Sequence, residues 1–208
     1  MSQRGIFITF EGSEGCGKST QISLLAEWLR GAGREVVLVR EPGGTPSGEQ
    51  IRHLLQHAPE GENLTPEAEL LLFAASRAQL VREIIEPALA AGHAVISDRF
   101  LDSTTVYQGV ARRIPSDATA SINAFAVGTC LPDVTFLLDL DPEVAASRIG
   151  NREKDRIERE PASFFQAVRE GYLAVAASNR DRIRIIDASR EPGAVAEDIR
   201  NATARLLG

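Results

Sequence analysis

Short apolar runs, separated by longer segments with helical periodicity, organise the whole chain. The runs are GIFITFE, EVVLVRE, HAVISDR, DVTFLLDL and RIRIIDA, at residues 5–11, 35–41, 93–99, 133–140 and 182–188. Each run is short and rich in apolar and β-branched residues, which is typical of buried strands. Strands that alternate with helices in this way predict an α/β fold, in which a parallel sheet has helices on both faces.

Two predicted helices begin with a capping residue followed by proline. Thr65 and Pro66 begin a segment with helical spacing over residues 65–92, in which Pro87 predicts a kink. Asp141, followed by Pro142, predicts a second helix start of the same kind. The other predicted helices cover residues 18–30 and the end of the chain from about Pro192.

Length and composition indicate one globular domain. The chain has 208 residues, of which 43% are apolar and 25% charged. A net charge of -6 argues against broad binding to nucleic acid. No apolar run is long enough to cross a membrane and the start resembles no signal peptide, so a cytoplasmic protein is expected. Cys16 and Cys130 are too few for a disulfide framework or a zinc site.

The segment FEGSEGCGKST lies between the first predicted strand and the first predicted helix. Residues 12–19 match G-x-x-x-x-G-K-[ST], in which glycines let backbone N–H groups wrap a phosphate at a helix N-terminus. Lys18 is predicted to reach the outer phosphates of a nucleoside triphosphate, and Ser19 to ligate Mg²⁺. The predicted triphosphate-binding residues are Gly12, Ser13, Glu14, Gly15, Cys16, Gly17, Lys18, Ser19 and Thr20.

Charged residues at the ends of other predicted strands indicate a second anion site. Ligands of parallel sheets bind at the carboxyl ends of the strands, where Arg40, Asp98 and Arg99 lie. Phe73 and Arg77, four residues apart, share a face of the long helix. Such a pair can stack on a base and hydrogen-bond its edge, although core packing is the alternative for Phe73.

Three features allow more than one interpretation. Asp98 and Asp139 both end strands, and the arginine that follows Asp98 favours it as the acidic residue that supports Mg²⁺. Glu14 would repel a phosphate, so it either points to a neutral group such as a sugar hydroxyl or is solvated. Residues 147–159 are either an exposed helix with i,i+4 ion pairs or a mobile lid with a closing arginine. We favour the lid.

These segments together resemble the thymidylate kinase family over nearly the whole chain. The resemblance rests on FEGSEGCGKST, REPGGT (40–45), LLLFAASRAQ (70–79), DRF (98–100), STTVYQG (103–109) and DRIE (155–158). It implies a P-loop NTPase fold with a five-stranded parallel sheet and a single nucleoside monophosphate kinase domain. It further implies a homodimer that transfers the γ-phosphoryl group of ATP to dTMP, giving dTDP, with Mg²⁺ as cofactor.

The resemblance also implies roles for individual residues. Phe73 would stack on thymine, Arg77 would hydrogen-bond the base edge, and Arg99 would hold the acceptor phosphate. Glu14 would approach the deoxyribose 3′-hydroxyl, and Tyr107 would press where a 2′-hydroxyl would lie. The other implied residues of the substrate pocket are Arg40, Pro42, Thr104 and Gln108.

The lid of this chain departs from the family pattern. The family commonly has an arginine and a Gly-Glu pair before DRIE, whereas this chain has Arg152 and Glu153 at the pair's position. The sequence resembles the bacterial subtype whose helping arginine lies in the lid. Arg148 and Arg152 therefore both stay open as the closing arginine.

Two other functions are compatible with parts of the sequence. A kinase for dUMP or dGMP is the nearest alternative, and a P-loop switch without transferase activity is an alternative of another class. A GTPase switch would need an Asn-Lys-x-Asp motif, which the sequence lacks. A phosphate acceptor is already anionic at neutral pH and needs no general base, which fits the absence of any histidine near the motifs in the sequence.

Overall fold

A five-stranded parallel sheet forms the centre of the structure, a computed structural model that describes residues 4–150 and 154–207. The strands are β1 (Phe7–Glu11), β2 (Val36–Arg40), β3 (Ala94–Asp98), β4 (Val134–Asp139) and β5 (Ile183–Asp187). Their order is β2-β3-β1-β4-β5, and all neighbouring pairs are parallel. The predicted fold class is confirmed.

Helices connect the strands and cover both faces of the sheet. They are α1 (Lys18–Gly31), α2 (Pro46–Gln56), α3 (Pro66–Leu80), α4 (Glu86–Ala90), α5 (Leu101–Thr104), α6 (Ser116–Val127), α7 (Pro142–Ile149), α8 (Ala162–Ser178) and α9 (Pro192–Leu207). A 3₁₀ turn covers Pro59–Gly61, and π-helical turns cover Val81–Ile85 and Thr105–Ala111. Among the helices described, none is both long and apolar enough to cross a bilayer.

The predicted helix starts are confirmed, and the predicted long helix is interrupted. Thr65 and Asp141 each accept a hydrogen bond from a backbone N–H in the first turn of the helix that they cap. The chain changes to the π-helical turn Val81–Ile85 just before Pro87. Proline has no N–H to donate and its ring clashes with the carbonyl four residues earlier, so regular α-helical bonding cannot continue there.

The alternation of side chains along β1 builds a core on each face of the sheet. Ile8 and Phe10 pack against Leu25 of α1 on one face, which α9 also covers. Phe7 points to the opposite face, where its ring centroid lies 4.9 Å from that of Phe100. With both faces covered, the carboxyl ends of the strands are left for polar residues.

Candidate active site

The loop at residues 12–19 is held so tightly that two of its positions exclude side chains. Gly12 and Gly15 have φ angles of 135° and 77°. A Cβ atom would lie 2.7 Å from the Leu138 carbonyl oxygen at Gly12 and 2.3 Å from the Ala145 carbonyl oxygen at Gly15. Glycine is therefore required at both positions, by backbone angle as well as by space.

Lys18, the first residue of α1, folds back over this loop. Its Nζ atom donates hydrogen bonds to the carbonyl oxygens of Gly12 at 3.3 Å and Ser13 at 3.0 Å. Burial lowers the pKa of the Lys18 ammonium, but nearby acidic groups such as Cys16 raise it above its usual value overall. A charged ammonium whose oxygen partners are neutral carbonyls can exchange them for phosphate oxygens, which bind it more strongly.

Two cavities open on either side of the loop. The large cavity has a volume of about 760 Å³ and is lined in part by Glu14 and Ser19. The small cavity has a volume of about 360 Å³ and is lined in part by residues 15–17 and Thr20. Two ligands in these cavities would therefore meet at the glycine loop and the N-terminus of α1, where anions are favoured.

The wall of the large cavity brings most of the predicted substrate residues together. It is lined by Glu14, Arg40, Pro42, Phe73, Arg99, Thr104, Tyr107 and Gln108. These side chains come from the loop, from the ends of β2 and β3, from α3 and from the segment 101–111. Residues that are distant in the sequence thus converge at the carboxyl edge of the sheet, as the strand pattern predicted.

Arg77 lies behind this wall. It is 1% exposed, and all of its N–H groups donate to protein acceptors. Nε and one terminal nitrogen bond Glu41 at 2.8 and 2.5 Å, and the other bonds are to Thr104, Asn123 and the Phe100 carbonyl. A base could gain an Arg77 donor only by replacing one of these bonds, so the predicted contact with a base edge stays a prediction.

Arg99 directs a positive charge toward the large cavity. It follows β3 with a φ of 68° and donates to Glu14 at 2.8 Å, to Ser103 at 3.1 Å and to Tyr172 at 3.2 Å. Its guanidinium carbon lies 5.1 Å from the centroid of the Tyr107 ring. Burial lowers the pKa of Arg99, but Tyr107, Tyr172 and Glu14 raise it well above its usual value.

Glu11, at the end of β1, is a site residue that the sequence analysis missed. Its buried carboxylate accepts hydrogen bonds from Phe100 N at 2.8 Å, Ser103 N at 3.2 Å, Ser103 Oγ at 2.6 Å and Tyr172 OH at 2.8 Å. Burial and the nearby Asp102 raise the pKa of Glu11 to about 7. The signal in the sequence is an acidic residue inside the otherwise apolar strand FITFE.

Oxygen ligands for Mg²⁺ are available from Ser19 and Asp98, which both line the large cavity. Asp98 Oδ1 is buried and has no hydrogen-bond partner, whereas the alternative, Asp139, is bonded twice by Arg169 at 2.8 and 3.0 Å. Within residues 4–150 and 154–207, no cluster of three or more His, Cys, Asp or Glu could hold a metal by itself. Mg²⁺ in kinases uses few protein ligands and the substrate phosphates, so this pair fits it.

The described parts of the segment 147–159 reach both cavities. Arg148, near the end of α7, lines the small cavity and donates to the Ala188 carbonyl at 3.2 Å. Lys154 and Asp155 line the large cavity, and residues 154–160 form turns and irregular backbone where the alternative predicted an exposed helix. Arg152, the other predicted closing arginine, lies outside the described residues.

His57 lies at the large cavity, although no histidine is near the motifs in the sequence. His57 follows α2 and lines the cavity beside Gln56 and Glu62. α2 packs along α3, and this packing carries the end of α2 to the cavity although His57 is distant from every motif in the sequence.

A P-loop in a five-stranded parallel sheet, with a cavity on each side of the loop, is the arrangement expected of a P-loop nucleoside monophosphate kinase. The family model described as thymidylate kinase matches residues 10–199, and the chain belongs to the thymidylate kinase family. The thymidylate kinase of Symbiobacterium thermophilum is 47% identical over 202 residues, which cover 97% of this chain and 94% of the relative. That of Geobacter sulfurreducens is 49% identical over 190 residues, with 88% and 89% covered.

A solved structure agrees with this assignment. The crystal structure of thymidylate kinase from Ehrlichia chaffeensis matches this chain with a TM-score of 0.77 and 34% sequence identity. The match covers 96% of this chain and 99% of the other. The similarity therefore extends over the whole fold, including the helices that carry the cavity walls.

Proposed function

We propose that this chain transfers the γ-phosphoryl group of Mg-ATP to dTMP, giving dTDP and ADP, and that it does so in the cytosol, as the sequence predicts. The observation that carries this proposal is the pair of cavities that meet at the glycine loop. ATP would occupy the small cavity with its phosphates along residues 12–19, and dTMP would occupy the large cavity with its phosphate at Arg99. The two phosphate groups would then face each other beside Lys18.

The large cavity offers groups that suit each part of dTMP. Phe73 offers a flat surface for the base, and Gln108 and Thr104 offer polar groups in the same wall. Glu14 is positioned by its ion pair with Arg99 at 2.8 Å, so the acceptors for a sugar hydroxyl and the donors for a phosphate are adjacent. Tyr107 beside this pair would leave room for a deoxyribose and disfavour a ribose.

The chemistry needs positioning and charge neutralisation more than proton transfer. The acceptor phosphate has a second pKa of about 6, so it is already a nucleophile at neutral pH. The main obstacles are the repulsion between two polyanions and the entropy of aligning them. Lys18 and Arg99 would neutralise charge from opposite sides of the transferred group. Mg²⁺, held by Ser19 and Asp98, would supply further neutralisation of the phosphate oxygens.

We also propose that residues 147–159 act as a lid within a single kinase domain. Support comes from Arg148 on the wall of the small cavity and Lys154 and Asp155 on the wall of the large cavity. A segment that reaches both ligands can exclude water while they react, which limits hydrolysis of ATP. Whether Arg148 or Arg152 supplies the closing charge is tested below.

We further propose that two copies associate through α3 and α6. These helices pack side by side, and they expose large apolar side chains, with Phe125 on α6 87% exposed and Leu71 on α3 56% exposed. Sedimentation of the purified protein is expected to give the mass of a dimer. Phe125→Asp is expected to give a monomer, and a monomeric unmodified protein would contradict this part of the proposal.

A panel of nucleotides tests the activity. The protein is incubated with Mg-ATP and, separately, dTMP, dUMP, dGMP or no acceptor, and ADP and the nucleoside diphosphates are quantified by chromatography. We expect ADP and dTDP to form in equal amounts with dTMP, and little ADP without an acceptor. Faster turnover of dUMP or dGMP would identify a different kinase, and ADP formation that ignores the acceptor would indicate a P-loop ATPase.

A further inference from the structure

Glu69 on α3 is a buried carboxylate that no step described so far uses. It is 2% exposed, and it lies one helical turn before Phe73. Its Oε1 accepts hydrogen bonds from Gln108 Nε2 at 2.8 Å and Arg112 Nε at 3.2 Å. Its Oε2 accepts from Arg156 at 2.6 Å and from a second Arg112 nitrogen at 3.3 Å. One carboxylate thus holds three side chains.

Two of these partners, Gln108 and Arg156, belong to different parts of the chain, and each part contributes to the wall of the large cavity. Gln108 belongs to the π-helical turn Thr105–Ala111 and lines the large cavity. Arg156 belongs to residues 154–160, which we call the docked segment. This segment is also attached to the end of α2, because Arg156 donates from Nε to the Leu55 carbonyl at 2.8 Å and from its backbone N–H to the Gln56 carbonyl at 3.2 Å.

The charges of this cluster are balanced when the docked segment is in place, because Glu69 and Glu160 pair with Arg112 and Arg156. Burial raises the pKa of Glu69, but the hydrogen bond from Gln108 and the charge of Arg112 outweigh it, so the pKa lies below its usual value. Glu69 is therefore ionised at neutral pH. If the docked segment leaves, Glu69 loses its shortest bond and remains buried with less compensation, which disfavours that state.

We propose that Glu69 is a positioning residue that couples the nucleoside wall at Gln108 to the docked segment through Arg156. A nucleotide that orders Gln108 fixes the Glu69 carboxylate, and the fixed carboxylate holds Arg156 and the segment against α2 and α3. The coupling is reciprocal, so docking of the segment also strengthens nucleotide binding. The identity of the nucleotide as dTMP rests on the proposed function.

Hydrogen exchange reports this coupling directly. Backbone exchange in residues 154–160 is measured with and without dTMP, in the absence of ATP. In the unmodified protein, dTMP is expected to slow exchange in the segment. In Glu69→Gln, which keeps the shape and removes the charge, most of this slowing is expected to be lost. Binding of dTMP is expected to weaken about tenfold, within the usual range for coupled sites.

A matched control is available away from both cavities. Glu86 pairs with Arg82, but this pair is exposed and contributes little. Glu86→Gln is therefore expected to keep the dTMP-dependent slowing and to change the binding of dTMP by less than about twofold. Equal effects of Glu86→Gln and Glu69→Gln would overturn the proposal, because loss of any carboxylate would then have the same effect as loss of Glu69.

A double-mutant cycle separates coupling from a general loss of structure. Arg156→Gln removes the partner that Glu69 has in the docked segment and leaves Glu69 with Gln108 and Arg112. If coupling runs through this pair, the double variant is expected to bind dTMP about as weakly as the weaker single variant. If the effects of the two substitutions on the binding of dTMP multiply in the double variant, the proposal is overturned. A variant with a lower melting temperature but full dTMP-dependent slowing would overturn it as well. If Glu69→Gln does not fold, loss of the slowing in Arg156→Gln supports the proposal and its retention overturns it.

The proposed function is tested separately. Formation of dTDP by the unmodified protein establishes the activity whatever Glu69 does. An active protein whose Glu69→Gln variant keeps the slowing would contradict only the coupling.

Discussion

The two cavities beside the P-loop are built differently. The large cavity has charged side chains in its wall or directly behind it that are already paired, such as Arg99 with Glu14 in the wall and Arg77, behind it, with Glu41. The small cavity is bounded by the glycine loop, the start of α1 and the chain that follows β5, with Arg148 at its edge. On the proposed function, the acceptor would thus be met by fixed side chains, and the donor would be met largely by a loop and a helix N-terminus.

This difference matches the kind of recognition that each proposed ligand requires. Backbone N–H groups and a helix N-terminus bind any chain of phosphates, whereas choosing one base and one sugar requires polar side chains in fixed positions. Single substitutions should therefore have large effects in the wall of the large cavity and small effects at the edge of the small one. The predictions below test that contrast in order of expected size.

The buried pair of Arg77 and Glu41 should contribute most to holding the large cavity in shape. Arg77→Met leaves the Glu41 carboxylate buried without its cation, so the free energy of unfolding is expected to fall by about 3 to 5 kcal/mol. Urea unfolding followed by circular dichroism measures this change. Arg82→Met, which breaks an exposed pair with Glu86, should change it by less than about 1 kcal/mol. Similar losses in both variants would show that the pair does not hold the wall.

Arg99 should have the largest effect on catalysis. Arg99→Ala removes the charge predicted to hold the acceptor phosphate, and kcat/KM for dTMP is expected to fall about 10³-fold, or about 4 kcal/mol. Initial rates of dTDP formation measure this. Arg4→Ala, which removes an exposed arginine paired with Asp133, should leave the rate within about twofold. A loss below about tenfold for Arg99→Ala would rule out the proposed role.

Features that depend on neighbouring residues were predictable from the sequence. The strands follow from short apolar runs, the P-loop from glycine spacing between a strand and a helix, and the starts of α3 and α7 from a capping residue followed by proline. Each signal lies within about ten residues, so no knowledge of the fold is needed to read it.

The pairing of buried charges was not predictable in this way. The partners of Arg77 are Glu41, Thr104 and Asn123, which lie 36, 27 and 46 residues away in the sequence. Periodicity and motifs say that a buried arginine needs partners, but only the packing of β2, α5 and α6 around α3 says which ones. The same holds for Tyr172, which lies on α8, a helix that carries none of the motifs.

The ionisation of Glu11 should make the free energy of unfolding depend on pH. Its pKa is about 7 in the folded protein against an ordinary value of 4.5, so the folded state binds the proton more tightly than the unfolded state. This contribution is fully present below about pH 4.5 and is lost as the pH rises through about 7. The expected loss is about 3 kcal/mol.

Comparison with Glu11→Gln isolates this contribution from other titrating groups. The free energy of unfolding of both proteins is measured in urea at several pH values from 4.5 to 8. The difference between them should shift by about 3 kcal/mol in favour of the variant across that window. If the free energies of unfolding of the two proteins instead change in parallel with pH, Glu11 titrates near its ordinary pKa and its four hydrogen bonds compensate for burial.

Arg148, at the edge of the small cavity, should have the smallest effect. Its described bond is to one carbonyl, that of Ala188, and it faces the site proposed for ATP. If it contributes equally to the bound and transition states, Arg148→Ala raises KM for ATP about fivefold to tenfold, about 1 kcal/mol, and leaves kcat within about twofold. Steady-state kinetics at saturating dTMP separates the two constants, and Arg30→Ala on the exposed end of α1 is the control.

A fall in kcat of about 100-fold would instead make Arg148 the arginine that closes on the transferred group. Arg152→Ala would then leave kcat nearly unchanged. Catalysis would in that case depend as strongly on a side chain at the small cavity as on one at the large cavity.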